Sequence, residues 1–195
     1  AAFLSMEQEE MKMRVSITQW VHEELRRFIR QGDLCIDATV GNGGDTEYLC
    51  GLTDRVIGFE IQEEALLNTG KRLELKGYHP ELILDSHENM DRYAEKGTVQ
   101  AILFNLGYLP GGDHRIATRP NSTIQAVRVG LELLKPGGII SVCVYSGGDT
   151  GFAEKEEVLQ YLRQLDDRRY IVIKQDFYNK QNHPPLPVLI LKLGF

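Results

Sequence analysis

No run of apolar residues in this chain reaches the roughly 18–20 that a helical membrane span needs, so no membrane association is expected. Cysteine is scarce: Cys35, Cys50 and Cys143 are the three present in 195 residues. Each sits in an apolar segment without the spacing of a metal site or a disulfide framework. They are expected to be reduced core residues in the cytoplasm. His22, His79 and His183 likewise lack partners at ligand spacing, so no metal site is expected. There is no internal repeat, low-complexity tract or linker. The opening Ala1–Met6 is too short for a signal peptide, and acids follow it directly. Excess positive charge is also missing. A net charge of −6 argues against a protein that coats nucleic acid non-specifically, because such binders are usually basic. Arg26, Arg27 and Arg30 read as a solvated surface, whereas Arg115, Arg119 and Arg128 leave a local basic face open.

The remainder is ordinary globular material, 42% hydrophobic and 26% charged. Residues 1–195 are expected to form one domain, with 1–15 a loose N-terminal segment. Ile17, Trp20, Val21, Leu25, Phe28 and Ile29 recur at helical spacing, predicting an amphipathic helix over 16–30. Apolar strands then alternate with helical patterns: strands at Leu34–Thr39, Val56–Ile61, Leu82–Leu84, Ala101–Asn105 and Ile139–Val144, and helices from Asp45, over Glu63–Leu75, Thr123–Leu134 and Phe152–Leu165. Tyr170–Lys174 and Val188–Leu193 fit a closing antiparallel pair. This is the α/β pattern of βαβ units around a mostly parallel seven-stranded Rossmann-like sheet.

Two features point to an adenosine-type ligand. The stretch Asp37-Ala38-Thr39-Val40-Gly41-Asn42-Gly43-Gly44-Asp45-Thr46 ends a strand and opens a helix, where glycines permit a tight turn and the helix start favours an anion. Glu60 ends the next strand, nineteen residues past Gly41, near the offset of a ribose-holding acid. A dinucleotide fingerprint needs a third glycine where Thr46 stands, and Asp45 would repel a pyrophosphate. An acid there suits a zwitterion with a carboxylate for the backbone amides and an ammonium for Asp45. S-adenosylmethionine (SAM) has such an end, and NAD does not. The fourth strand leads into Asn105-Leu106-Gly107-Tyr108, beside the switch point where ligands bind. An Asn with an aromatic three residues on is a loose match to the Asn-Pro-Pro-Tyr motif of amino methyltransferases. Its plainer reading is a turn braced by an Asn side chain. His87 could contact an adenine, line a substrate pocket or cap a helix.

The glycine loop, Gly58-Phe59-Glu60-Ile61-Gln62, Ser86-His87-Glu88, Asn105–Asp113 and Tyr145-Ser146-Gly147-Gly148 together resemble a family of small bacterial SAM-dependent enzymes long labelled rRNA methylases. Members methylate the aminomethyl group of 5-aminomethyl-2-thiouridine at the tRNA wobble position. The resemblance spans roughly residues 16–193. It implies a seven-stranded methyltransferase fold, SAM as cofactor, a tRNA anticodon stem-loop as partner and a homodimer. It further implies that Asp37, Thr39, Gly41, Asn42, Gly43, Asp45 and Thr46 hold the methionine end. Glu60 would take the ribose, with Gln62, Ser86 and His87 near the adenine. Asn105 and Tyr108 would flank the transferred methyl group. Leu109, Pro110, Gly111, Asp113, Arg115, Thr118, Arg119, Tyr145 and Gly148 would shape the substrate pocket. Three other readings stay open at this point: a methyltransferase for rRNA or a small molecule, a non-catalytic nucleotide-binding regulator, and an NAD(P) oxidoreductase, which Thr46 disfavours.

Overall fold

The computed structural model describes residues 16–106, 120–145, 151–181 and 184–194. Ser16 begins the order. Its hydroxyl accepts from the Gln19 amide, and the Gln19 side chain accepts from the Ser16 amide, a reciprocal capping box. Helix α1 follows at Ile17–Arg26 and buries Ile17, Val21 and Leu25, one residue per turn. It stops short of the expected residue 30, because the chain turns at Arg27 and Phe28 to bring Ile29 under the sheet. The order continues β1 Leu34–Asp37, α2 Gly44–Cys50, β2 Arg55–Glu60, α3 Glu63–Leu75, β3 Glu81–Leu84, a 3-10 helix His87–Arg92 and β4 Val99–Leu106. Then come α4 Pro120–Leu133, β5 Leu134–Val144, α5 Gly151–Arg163, β6 Tyr170–Lys174 and β7 Leu186–Lys192.

The strands form one sheet in the order β3-β2-β1-β4-β5-β7-β6. Strands β1 to β5 pair parallel, whereas β7 runs antiparallel to both β5 and β6. This is the expected α/β class, with the reversed strand of the SAM methyltransferase fold. Alternating side chains divide the core between the two faces, as the strand period of two requires. In β4, Ile102 and Phe104 pack with Met90, Val127 and Leu162 on one face. Ala101 and Leu103 pack with Val21, Leu25 and Leu49 on the other. Cys35 and Cys143 are buried in that second layer, and burial pushes each thiol up to about 12. Among the described residues no helix is long and apolar enough to cross a membrane.

The parallel order reverses between β1 and β4, whose neighbours lie on opposite sides. Their carboxyl ends, at Asp37 and Leu106, therefore open the crevice where such sheets bind ligands.

Candidate active site

The glycine loop leaves β1 and is held from three directions. Gly43 caps α2 with a left-handed φ of 74°. Its amide donates to the Val40 carbonyl at 2.7 Å, closing the turn. A Cβ there would lie 2.4 Å from Thr69 Cγ2 of α3, so this glycine permits helix α3 to approach the loop. Helix α3 also supplies the Thr69 hydroxyl, donating to the Gly41 carbonyl at 3.0 Å, and the Arg72 guanidinium, donating to the Asn42 carbonyl at 2.7 Å. Arg72 pairs with Glu47 of α2 as well.

Glu60 closes the third side. Its Oε2 accepts from the Gly41 amide at 2.9 Å, and its Oε1 accepts from the Ile61 and Gln62 amides at 2.9 Å each. These three backbone donors fix the carboxylate at the mouth of the crevice. An ionised carboxylate has about four acceptor positions, so one remains beyond these three amides. Gln62 sits at the N-cap of α3, and its side chain makes no capping bond.

Asp37 is buried at the end of β1, where Thr39 N–H donates to Oδ1 at 3.0 Å and Thr46 Oγ–H to Oδ2 at 2.6 Å. Burial first, and then the charge of Asp45, pushes its carboxyl up to about 7. Thr39 in turn ties the two central strands: its Oγ accepts from the Asn105 amide at 2.7 Å. Asp37 and Thr46 are thus buried in the floor of the crevice, and Thr39 beside them is partly exposed.

Asp45 and Asn105 meet above that floor. Asn105 Nδ2 donates to Asp45 Oδ2, and His22 Nε2 lies 2.7 Å from Asp45 Oδ1. Both carboxylate oxygens of Asp45 therefore have protein partners, which the expected contact with a ligand ammonium did not include. His22 was legible in the sequence only as a polar ring beside Val21 on the buried edge of an amphipathic helix, with no visible partner. The fold supplies one twenty-three residues away.

Ser86 and His87, expected near an adenine, both have partners within the protein. The Ser86 hydroxyl accepts from the Glu88 amide at 3.3 Å and donates to the Glu88 carboxylate at 3.1 Å, capping the 3-10 helix. His87 Nδ1 bonds the Ala38 carbonyl at 3.0 Å, and Nε2 bonds the Ser122 hydroxyl at 3.2 Å. A carbonyl can only accept, so Nδ1 bears the hydrogen and Nε2 accepts from Ser122. Burial holds the ring below its ordinary value, favouring this neutral form. With both nitrogens engaged, His87 braces β1 against α4. Tyr145 follows β5 with its ring partly exposed and its amide donating to the Leu106 carbonyl at 3.3 Å. Tyr108, Leu109, Pro110, Gly111, Asp113, Arg115, Thr118, Arg119 and Gly148 lie outside the described residues.

Three acids, Asp37, Asp45 and Glu60, thus surround one loop at the switch point. Acids so placed suit a cationic ligand with hydroxyls to donate and disfavour a pyrophosphate, even with Asp37 pushed toward its neutral form by burial.

The chain is similar in sequence and fold to several known proteins. A protein of Arabidopsis thaliana named tRNA (mnm(5)s(2)U34)-methyltransferase, chloroplastic, is 33% identical over 191 residues, covering 91% of this chain and 69% of that protein. A Clostridium thermocellum protein described as a putative rRNA-methylase superposes with a TM-score of 0.87 at 47% identity, covering 91% of this chain and 98% of its own. A Streptococcus mutans protein described as a putative methyltransferase, solved in complex with S-adenosylhomocysteine, superposes at 0.83 with 36% identity, covering 90% and 97%. The family model described as Putative rRNA methylase matches residues 56–191, well over half of the sequence, and the chain belongs to that family of methyltransferases.

Proposed function

We propose that this protein is the SAM-dependent N-methyltransferase that converts 5-aminomethyl-2-thiouridine to 5-methylaminomethyl-2-thiouridine at the tRNA wobble position. SAM dependence follows from the family and from the S. mutans relative bound to S-adenosylhomocysteine. The residues present fit that cofactor. Glu60 would hold the ribose, and the first-turn amides of α2 would face the methionine carboxylate. The acid-lined loop complements the cofactor's positive charges.

When bound, SAM supplies a sulfonium-borne methyl group, and the sulfonium disfavours the ammonium form of a neighbouring amine. The observation that favours an amine acceptor is the amide of Asn105. Its nitrogen is committed to Asp45, which leaves Oδ1 as an acceptor at the carboxyl end of β4. That oxygen can take an N–H of a neutral primary amine and leave the nitrogen lone pair aimed elsewhere, so Asn105 aligns the nucleophile. The tRNA substrate rests on the name of the Arabidopsis relative and on the motif resemblance. Tyr108 would stack on the unpaired wobble base. A homodimer in the cytoplasm completes the proposal, on the resemblance and the cysteine usage.

The test is to incubate the protein and SAM with tRNA carrying 5-aminomethyl-2-thiouridine, with tRNA lacking it and with rRNA, then to analyse nucleosides by mass spectrometry. A gain of one methyl group only in the first substrate is expected. Methylated rRNA with unchanged tRNA would establish the competing reading that the family description suggests. Cofactor binding without turnover on any substrate would indicate a regulator.

A further inference from the structure

The His22–Asp45–Asn105 chain joins three elements, α1, α2 and β4, at the candidate site. Its chemistry is directional. An ionised carboxylate only accepts hydrogen bonds, so Asp45 dictates which way the Asn105 amide faces: nitrogen toward Asp45, oxygen away. An amide free to flip would spend part of its time offering NH2 to an incoming amine, donor against donor. His22 is the opposite anchor. Its Nε2 donates to the other oxygen of Asp45 at 2.7 Å and so prevents the carboxylate from turning away from Asn105.

The surroundings hold His22 to that task. Its ring stacks on Tyr48 at 3.8 Å between centroids with planes 7° apart, and the Tyr48 hydroxyl donates to the His22 carbonyl. The side chains of His22 and Asp45 are 18% and 8% exposed, so water competes little for their bond. A cleft of about 10 Å³ is bordered by Val21, His22, Asp45, Asn105, Ser141 and Cys143, with room for about one water.

We propose that His22 is a positioning residue: acting through Asp45, it locks the Asn105 amide with its carbonyl oxygen toward the acceptor nitrogen. The rate consequence rests on the proposed amine methylation, whereas the locking itself does not.

Two substitutions separate donor from bulk. His22→Phe keeps a ring against Tyr48 and removes the donor; His22→Gln keeps an N–H near the position of Nε2. In protein labelled with 15N at asparagine, the Asn105 side-chain signals are identified by their loss in Asn105→Ala. Their hydrogen exchange should be at least about fivefold faster in His22→Phe and near wild type in His22→Gln. In single-turnover methylation at saturating SAM, His22→Phe and Asn105→Ala should each slow the step about tenfold, and the double variant should be no slower than Asn105→Ala alone. The KM for SAM should stay within about twofold. Unchanged Asn105 exchange in His22→Phe would overturn the proposal, and so would rate losses that multiply in the double variant. A wild-type protein inactive on the aminomethyl tRNA would refute the substrate reading alone, since the exchange measurement still decides the role of His22.

Discussion

Removing the Glu60 carboxylate tests the link between the loop and the cofactor. Glu60→Ala strands the amides of Gly41, Ile61 and Gln62, each now bonded at 2.9 Å. Hydrogen bonds to a charged group are worth about 1.5–3 kcal/mol each. The three amides lie in the partly exposed loops after β1 and β2, where water can replace part of the loss, so a total of about 2–4 kcal/mol is expected. In a domain of this size that is a fall in Tm of roughly 5–12 °C, measurable by calorimetry without any cofactor. Glu60→Gln should lose about half as much, because its oxygen can serve Ile61 and Gln62 while its NH2 opposes the Gly41 amide. Affinity for S-adenosylhomocysteine should fall by a further contribution, about 1–3 kcal/mol for the ribose contact, or roughly five- to 150-fold by titration calorimetry. A Glu60→Ala protein with wild-type Tm would show that the loop does not depend on this carboxylate. A normal dissociation constant would remove Glu60 from the cofactor site.

Asp37 is raised to about 7 by burial and by Asp45, against an ordinary value of 3.8. The folded state therefore binds this proton more tightly, and its contribution to stability is full below about pH 4 and lost as pH rises through about 7. Asp37→Asn should flatten the decline in urea midpoint between about pH 4 and 8; an identical profile would refute the shift. Gly43→Ala places a Cβ against Thr69 and into a left-handed backbone. It should destabilise by about 1–3 kcal/mol, and adding Thr69→Ser, which removes the clashing methyl, should restore part of that. No recovery in the double variant would mean that backbone strain alone is responsible. Tyr108→Ala should weaken tRNA binding in filter assays by about 1–3 kcal/mol if its ring stacks on the wobble base, with the SAM affinity unchanged. Equal tRNA affinity would remove Tyr108 from recognition.

The sequence by itself determined the class of fold and pointed to the candidate site. Strand and helix periods are local properties, so β1 to β7 and their alternation with helices were legible within a few residues. The glycine turn and Glu60 were legible for the same reason: both lie at strand ends, and their offset follows from the length of one βαβ unit. The true helix and strand limits were less so, as where α1 breaks at Arg27 to seat Ile29, because packing of the whole layer sets them. Only the tertiary structure decided what the polar side chains do there. Asp45 faces His22 and Asn105 rather than standing free, Gly43 makes room for Thr69, and His87 spends both nitrogens on Ala38 and Ser122. Each of these partners is more than twenty residues distant in the chain, so no local pattern encodes the pairing. A hydrogen bond needs its two atoms within about 3 Å and aligned, and that proximity exists only once the parallel sheet has brought the ends of β1 and β4 together.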